Sequence, residues 1–388
     1  MPWRSPMNAR EALVFDVSNG MSVAEAAAAH GVARSCAYKW VIRYENEGLA
    51  GLEERSRRPE FSPRRIDPKV VDELLELKKR YPDYGPAKLV PMLETLHGER
   101  VMAVSTAGQI LARHGCVDKR ARSRRSPGRI DHSRFEVAGA GDTMTADFKG
   151  EFRLLNRTLC YPLTVADPFS RYVLDTRAMP STHMEPARKA FDRIFREHGL
   201  PRQMVTDRGT PFCSNIALGG LTQLSRWWIE LGIVPIRIDP GRPQQNGIHE
   251  RMHRTLKQWI TRDRRSTLRA QQRSFDAFRR EFNHVRPHQS LGQKPPSTAY
   301  RAYRPYASRP RKIEYDTNAE VRRVNANGEI KWKGELIFMS EVLIGADVGL
   351  IRVDETLLAI QFGIVRIGYL NEVERRVLNR RPSANQTP

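Results

Sequence analysis

Apolar positions recur at helical spacing over the first third of the chain and at strand spacing over most of the remainder. Between Asn8 and Leu52, Ser22-Val-Ala-Glu25 has the form of a capping box. It predicts a short helix over Ala24–His30, a tight turn at Gly31-Val-Ala33 and a second helix over Arg34–Tyr44. That is helix-turn-helix grammar, although an ordinary helical hairpin fits the same pattern. The second helix turns Ala37, Trp40 and Val41 inward and leaves Arg34, Ser35, Tyr38, Lys39 and Arg43 free to face a groove. A proline-bearing charged joint, Glu53–Pro68, breaks any helix through it. Helical period returns over Asp67–Cys116, with apolar faces at Val70, Leu74, Leu75 and Leu77, at Leu89, Met92 and Leu93, and at Ile110 and Leu111. A second helix-turn-helix or winged module fits this stretch, and so does a three-helix spacer.

Past residue 135 the period changes. Thr143–Phe148, Cys160–Asp167 and Ser170–Met179 read as consecutive strands. Helix and strand signals then alternate: a helix over Thr182–Gly199, a strand over Gln203–Thr206, a helix over Thr222–Leu231 and a strand over Ile233–Ile238. Two long helices follow, over Gln244–Arg264 and Gln271–His284. The order predicts a mixed sheet with helices on its faces. Beyond Arg309 strand character returns, with a hairpin expected to turn at Asn325-Ala-Asn327-Gly328 between Glu320–Val324 and Glu329–Met339. Further strands at Leu350–Val353 and Leu357–Val365 complete an expected small β-barrel, followed by a polar, disordered tail after about Arg376.

Charge narrows the partners. Against 44 Asp and Glu stand 65 Lys and Arg, a net +21 over 388 residues, so the surface should attract polyanions. The segment Lys119–Arg134 carries seven Lys or Arg and one acidic residue around a Ser-Pro-Gly break. It cannot form a core, and beside DNA it would lie on phosphates. A hydrophobic fraction of 40% supports ordinary cores. With no apolar run long enough for a membrane span and no signal-peptide core at the amino terminus, a cytoplasmic protein is expected. Cys36, Cys116, Cys160 and Cys213 form no C-x-x-C pair and are expected to be reduced and mostly buried.

Three carboxylates fall at the ends of predicted elements: Asp147 on the first strand, Asp207 after the strand Gln203–Thr206, and Glu250 on a long helix. Spacing alone proves nothing among 44 acids. Two strand ends and a facing helix can, however, bring three oxygen donors to one point, as a hard cation such as Mg²⁺ requires. Asn246, Glu250, Arg254 and Lys257 form one stripe on that helix, which reads as a DNA-facing surface or as a solvated charged face. His249-Glu-Arg-Met-His253 also spells H-E-x-x-H, leaving open a zinc site in which Glu250 is the base and the histidines are ligands.

The segments Thr145-Ala-Asp147-Phe-Lys-Gly150, Val205-Thr-Asp207-Arg-Gly-Thr-Pro-Phe212 and Pro243-Gln-Gln-Asn-Gly-Ile-His-Glu250-Arg251 resemble the three motifs of DDE transposases with a retroviral-integrase-type core. Asn283-His-Val-Arg-Pro-His288-Gln-Ser-Leu291 is similar to the segment closing that core in bacterial insertion-sequence transposases. The resemblance implies a multidomain α and β chain: helix-turn-helix DNA-binding domain (1–58), second helical or winged-helix-like domain (67–116), basic linker (117–135), RNase H-like mixed α/β core (136–305) and small β-barrel (309–376). It implies two Mg²⁺ or Mn²⁺ ions held by catalytic Asp147, Asp207 and Glu250, with Asn246, Arg254 and Lys257 handling DNA. Its implied partners are double-stranded DNA, both transposon ends and target, and further copies of the chain assembled on it. The implied activity is DNA cleavage and strand transfer; a transposase-derived regulator with an idle core is the alternative. Between Asp207 and Glu250 lie 42 residues, more than is usual in the family, and the surplus is expected in a loop-like insertion over Ser214–Arg226. No His-His-Cys-Cys module is present, so no structural zinc is implied.

Overall fold

A computed structural model describes residues 6–55, 66–117, 136–239, 245, 247–307 and 312–381. The basic segment 118–135 and Asn246 lie outside the described residues. Two compact units divide the chain, Met1–Arg65 and Ile66–Pro388.

The first unit packs α1 (Pro6–Ser18), α2 (Val23–Ala29) and α3 (Arg34–Glu47). Ser22 and Glu25 form the expected capping box, each side chain bonded to the other's backbone N–H. Gly31 takes a left-handed φ of +61° in the turn before α3. Leu13, Val14, Ala26, Ala27, Ala37, Val41 and Leu52 form the core. Trp40, expected inside, is only half-buried, and its ring is covered by the Arg10 guanidinium, 3.9 Å away.

In the second unit α4 (Pro68–Arg80), α5 (Pro86–His97) and α6 (Val104–Arg113) enclose a core containing Leu74, Leu89, Leu93, Ile110 and Leu111. A sheet follows from β1 (Thr143–Phe148), β2 (Phe152–Arg153), β3 (Leu159–Ala166), β4 (Val173–Met179), β5 (Gln203–Thr206) and β6 (Val234–Arg237). Its order is β2-β3-β1-β5-β6, with β4 also paired to β3. β1, β3 and β4 are antiparallel, whereas β5 and β6 run parallel to β1, the mixed sheet read from the sequence. One apolar layer contains α7 (Met184–His198) and α8 (Gln223–Glu230), with Phe191, Phe195 and Trp228 buried. A separate layer seats α9 (Gly247–Arg262) and α10 (Leu268–His284) through Met252, Leu256, Phe275 and Phe278.

The edge strand β4 is sealed by side chains of α10. Asn283 accepts from the Val173 N–H and donates to its carbonyl, each at 2.8 Å, and Gln272 does the same for Ala178 N–H (2.9 Å) and the Thr176 carbonyl (3.0 Å).

The carboxy-terminal region corrects the expected barrel. β7 (Glu320–Arg323), β10 (Asp347–Arg352), β11 (Leu357–Phe362), β12 (Val365–Asn371) and β13 (Arg376–Leu378) make an open antiparallel sheet, ordered β13-β12-β11-β10-β7. The remaining pair, β8 (Glu329–Trp332) and β9 (Glu335–Phe338), forms its own hairpin. That hairpin contributes Ile330, Trp332 and Ile337 to the apolar cluster shared with Val348, Leu350, Leu358 and Ile360, so the core is covered without the sheet closing. The expected turn pairing also fails. Asn325–Gly328 leads into β8, but β7 pairs with β10, and the hairpin turns at Lys333 and Gly334, both at positive φ. Arg376–Leu378, expected to be disordered, pairs with β12.

The surplus between the second Asp and the Glu is not a free loop. Leu218 and Leu221 are buried in the carboxy-terminal core, and Arg226 donates to the Val342 and Ile344 carbonyls at 2.7 and 3.0 Å. Of the cysteines, Cys160 and Cys213 are buried, but Cys36 is exposed and Cys116 half-buried. Among the described residues no helix is long and apolar enough to cross a membrane.

Asn283→Leu keeps the branched shape but orphans both backbone groups of Val173. At about 1–3 kcal/mol per buried unpaired group, the expected loss is about 2–4 kcal/mol, read by urea unfolding. A loss under about 0.5 kcal/mol would show that the amide does not seal the edge.

Candidate active site

The register of the sheet positions two of the three acids. Ala146 lies beside Thr206 across the parallel β1–β5 pair, so the next residues, Asp147 and Asp207, emerge together at the carboxyl ends of adjacent strands. Open α/β sheets build their ligand sites at this edge. Asp207 is held by its own loop, accepting from the Gly209 N–H at 3.0 Å. A Cβ at position 209 would come within 3.0 Å of the Asp207 carboxylate, which accounts for glycine there. Glu250 is exposed in the first turn of α9, where the helix dipole favours an anion.

The three acids share one electrostatic field. Burial first, then the charge of Asp207 and, less strongly, that of Glu250 push the Asp147 carboxyl up to about 7, against the Phe148 N–H and the Lys149 charge. Other buried acids of the sheet are differently served: Asp167 accepts from the N–H groups of Phe169, Ser170 and Gly141 and from the Tyr303 hydroxyl, and Asp175 pairs with Arg177 at 2.8 Å. Among the described residues no three His, Cys, Asp or Glu side chains converge closely enough to hold an ion. The acids are therefore coupled by charge without being drawn into a closed cage.

Beneath them lies a polar knot. His249 and His253 are buried on the inner face of α9 and meet at Thr164 of β3, each Nε2 being 2.7 Å from its hydroxyl. Thr164 sits opposite Asp147 and reaches the Asp147 carbonyl at 3.0 Å, while Thr145 stands 2.9 Å from His249 Nδ1. One proton assignment serves both histidines: each imidazole donates from Nε2 to Thr164, Thr164 donates to the Asp147 carbonyl, and Thr145, whose hydroxyl also lies 3.2 Å from the Ala166 carbonyl, gives its one proton to His249 Nδ1. Burial lowers His249 to about 4; burial, then the His249 charge and that of Lys149, lowers His253 to about 2. Both rings are neutral at physiological pH. This geometry weighs against the H-E-x-x-H zinc reading, because both nitrogens of His249 face threonine hydroxyls while Glu250 points to solvent. His253 Nδ1 is 3.8 Å from the Asp147 carboxylate, too far for a hydrogen bond.

On the opposite side of α9, Glu250, Arg254 and Lys257 form the exposed stripe expected from their spacing. In the amino-terminal unit Arg34, Ser35, Tyr38 and Lys39 are exposed on α3, and Arg43 is half-buried, its guanidinium 5.1 Å from the Trp40 ring. The sequence reading missed a basic cleft of about 770 Å³ that begins at Arg208, the residue after Asp207, and is lined also by Arg237, Arg366, Arg380 and Arg381. Its cations come from three distant stretches, and the only advance signal was the global excess of charge.

Two outcomes follow. Thr164→Val strands both Nε2–H groups, at an expected cost of about 2–4 kcal/mol in urea unfolding; a cost below about 1 kcal/mol would mean the knot is not formed. Since Asp147 is raised, the folded chain retains a proton that the unfolded chain has already shed, and stability falls as pH rises from about 4 to about 7. Asp147→Asn should therefore stabilise the metal-free protein at about pH 8, by at most about 4 kcal/mol at roughly 1.4 kcal/mol per unit, and by less at about pH 5. An equal change at both pH values would contradict the coupling.

Known proteins carry the same pieces. Integrase core domain models match residues 138–243 and 231–296, a helix-turn-helix domain matches 9–60, and a homeodomain-like domain matches 36–111. The insertion element IS476 uncharacterized 39.2 kDa protein of Xanthomonas euvesicatoria is 30% identical over 164 residues, 42% of this chain and 45% of that protein. The insertion element IS407 uncharacterized 31.7 kDa protein of Burkholderia multivorans is 26% identical over 202 residues, 52% of this chain and 70% of that protein. The match thus spans less than half of the first relative and more than two thirds of the second. Among solved structures, the HTLV-2 integrase catalytic core domain is 13% identical, covering 43% of this chain and all of that one, with a TM-score of only 0.35. The chain therefore carries a helix-turn-helix segment ahead of an integrase core domain and is similar to insertion-element proteins.

Proposed function

We propose that the protein is a DNA transposase that binds the terminal inverted repeats of its element and carries out metal-dependent strand cleavage and strand transfer. The observation that carries this reading is the β1–β5 register, which sets Asp147 and Asp207 side by side, together with the influence of both Asp207 and Glu250 on the Asp147 carboxyl. A donor set of carboxylate oxygens on two strand ends and a facing helix suits a hard divalent cation. Their mutual repulsion is what such a cation relieves. Asp147, Asp207 and Glu250 would hold the two Mg²⁺ or Mn²⁺ ions. When bound, the ions supply the positive charge that activates an attacking hydroxyl and stabilises the departing oxygen in an in-line phosphoryl transfer.

The chain's own residues do the rest. Asp147 must give up its proton as it takes its ligand role, which favours loading at neutral pH and above. Neutral His249 and His253 seat α9 without adding a buried cation next to the acids. Arg254 and Lys257, with Asn246, would steer the phosphates of a DNA end towards Glu250, and the cleft lined by Arg208 and Arg237 would extend that path beside Asp207. Arg34, Ser35, Tyr38, Lys39 and Arg43 would read repeat DNA from α3. Residues 1–58 and 67–116 act as DNA-binding modules, 117–135 as a basic tether, 136–305 as the core and 309–376 as a further DNA-holding module. Joining of paired ends calls for a homo-oligomer on DNA, and the chain works on chromosomal DNA in the cytoplasm.

The test is strand transfer of a labelled oligonucleotide, bearing the inverted repeat that flanks the gene, into plasmid DNA with Mg²⁺ or Mn²⁺. Joined product is expected, abolished by chelator and lowered roughly a thousandfold or more by Asp147→Asn, Asp207→Asn or Glu250→Gln, the several kcal/mol that metal ions provide. Specific repeat binding with no joining under any metal would instead identify an idle regulator.

A further inference from the structure

Lys88 of α5, Arg171 in the β3–β4 turn, Arg251 of α9 and Arg286 beyond α10 meet around a cavity of about 360 Å³. Among the described residues no Asp or Glu lines it. We propose that this cavity binds a phosphate ester, held by Lys88, Arg171, Arg251 and Arg286.

Four cations from four elements do not gather by chance of local sequence, and their own interactions oppose the gathering. Burial and then the Arg286 charge lower the Lys88 ammonium to about 8. Burial and then the Arg251 charge lower Arg171. His288, also in the wall, is lowered to about 3 by burial and then by the charges of Lys88, Arg286 and Arg171. Two of the atoms here, Arg171 Nη1 and His288 Nε2, are buried with no hydrogen-bond partner, which leaves donor capacity unspent. A dianion would repair both defects at once: it neutralises the crowded charge and accepts the unspent donors.

The cations are also held in place. Lys88 Nζ donates to the Pro287 carbonyl at 2.8 Å, Arg286 donates to the Thr255 hydroxyl at 3.2 Å, and Arg171 Nε approaches the Ser290 hydroxyl at 3.4 Å. Arg286 is further fixed over the Tyr84 and Phe282 rings, at 5.3 and 5.6 Å. Arg171 adopts a left-handed φ of +65°, an uncommon conformation for a residue with a side chain. Such strain is kept where the surroundings fix an aim. The volume falls in the range of small-ligand sites and leaves room beyond one phosphate group. The phosphate ester could belong to the DNA backbone or to a free phosphoanion. The DNA source rests on the transposase reading; the site itself does not.

The full chain, metal-free and at low ionic strength, is titrated with pyrophosphate and followed by calorimetry and thermal unfolding, and duplex binding is measured against salt in chelator. Pyrophosphate should raise Tm, and Arg171→Gln and Arg251→Gln should each weaken its binding roughly tenfold or more, as expected for a lost charge-assisted hydrogen bond. With the cation crowding relieved, Arg171→Gln should not lower the anion-free Tm. Arg251 is exposed, so Arg251→Gln keeps the test open should the other variant fold poorly. For DNA as the source, each substitution should also reduce the slope of log K against log salt by about one; an unchanged slope with lost pyrophosphate binding assigns a free phosphoanion. Absence of duplex binding removes the DNA source and the transposase reading while the pyrophosphate result still decides the site. Pyrophosphate stabilisation that is absent, or that survives both substitutions, together with an unchanged salt slope, overturns the proposal.

Discussion

A helix can carry a glutamate over two strand-end aspartates only if its underside is seated on the strands that bear them, and here that seat is polar. Thr164 is the pivot. Its hydroxyl is the meeting point of His249 and His253 from α9 and of the Asp147 carbonyl from β1. An apolar seat would have tolerated rotation or slippage of α9 by a fraction of a turn. A hydroxyl shared by two imidazoles does not, because any slip leaves buried donors unpaired. The histidines thus transmit the register of β1 and β3 to Glu250, and the leucine and phenylalanine contacts further along α9 supply the bulk of the adhesion.

The parts of the chain that were legible beforehand were those in which the deciding interactions are local or repeat with a fixed period. The strand over Gln203–Thr206 and the capped turn at Ser22 appear where the pattern put them. The acids at 147 and 207 were readable as strand ends for the same reason. The carboxy-terminal sheet was misread because the Asn325–Gly328 turn signal is local and strand pairing is not: β7 finds β10, twenty-odd residues on, and the two-residue turn at Lys333-Gly334 makes the hairpin. H-E-x-x-H was legible as letters, but its meaning depends on which side of the helix is buried. Only the fold supplies the threonines that occupy His249.

The basic clefts were out of reach for a different reason. A surplus of +21 says that cations exceed acids and nothing about where they meet. Lys88, Arg171, Arg251 and Arg286 are separated by between 35 and 83 positions, and no periodicity links them. Their convergence is created when the α4–α6 helices dock against α9 and α10, through the Tyr84 hydroxyl on Glu281 of α10 at 3.0 Å and Asp83 on Arg262 of α9 at 2.9 Å. The same docking gives the Arg286-Pro-His288 segment a physical task beyond ending α10.

The longer interval between Asp207 and Glu250 has a structural consequence of the same kind. Extra residues in a loop cost little entropy when its ends are already fixed, and here they are used as an adhesive. Leu218 and Leu221 enter the carboxy-terminal core, the Gly219 N–H donates to Asn379 at 2.8 Å, and Arg237 from β6 donates to the Gly220 carbonyl at 3.0 Å. The stretch beginning seven residues after Asp207 is therefore shared between the core and the β module. A force on that module, such as DNA lying across Arg366 and Arg381, would reach the loop carrying Asp207 through packed side chains rather than through a flexible linker. The insertion turns what would be an appendage into part of the wall of the cleft that begins at Arg208.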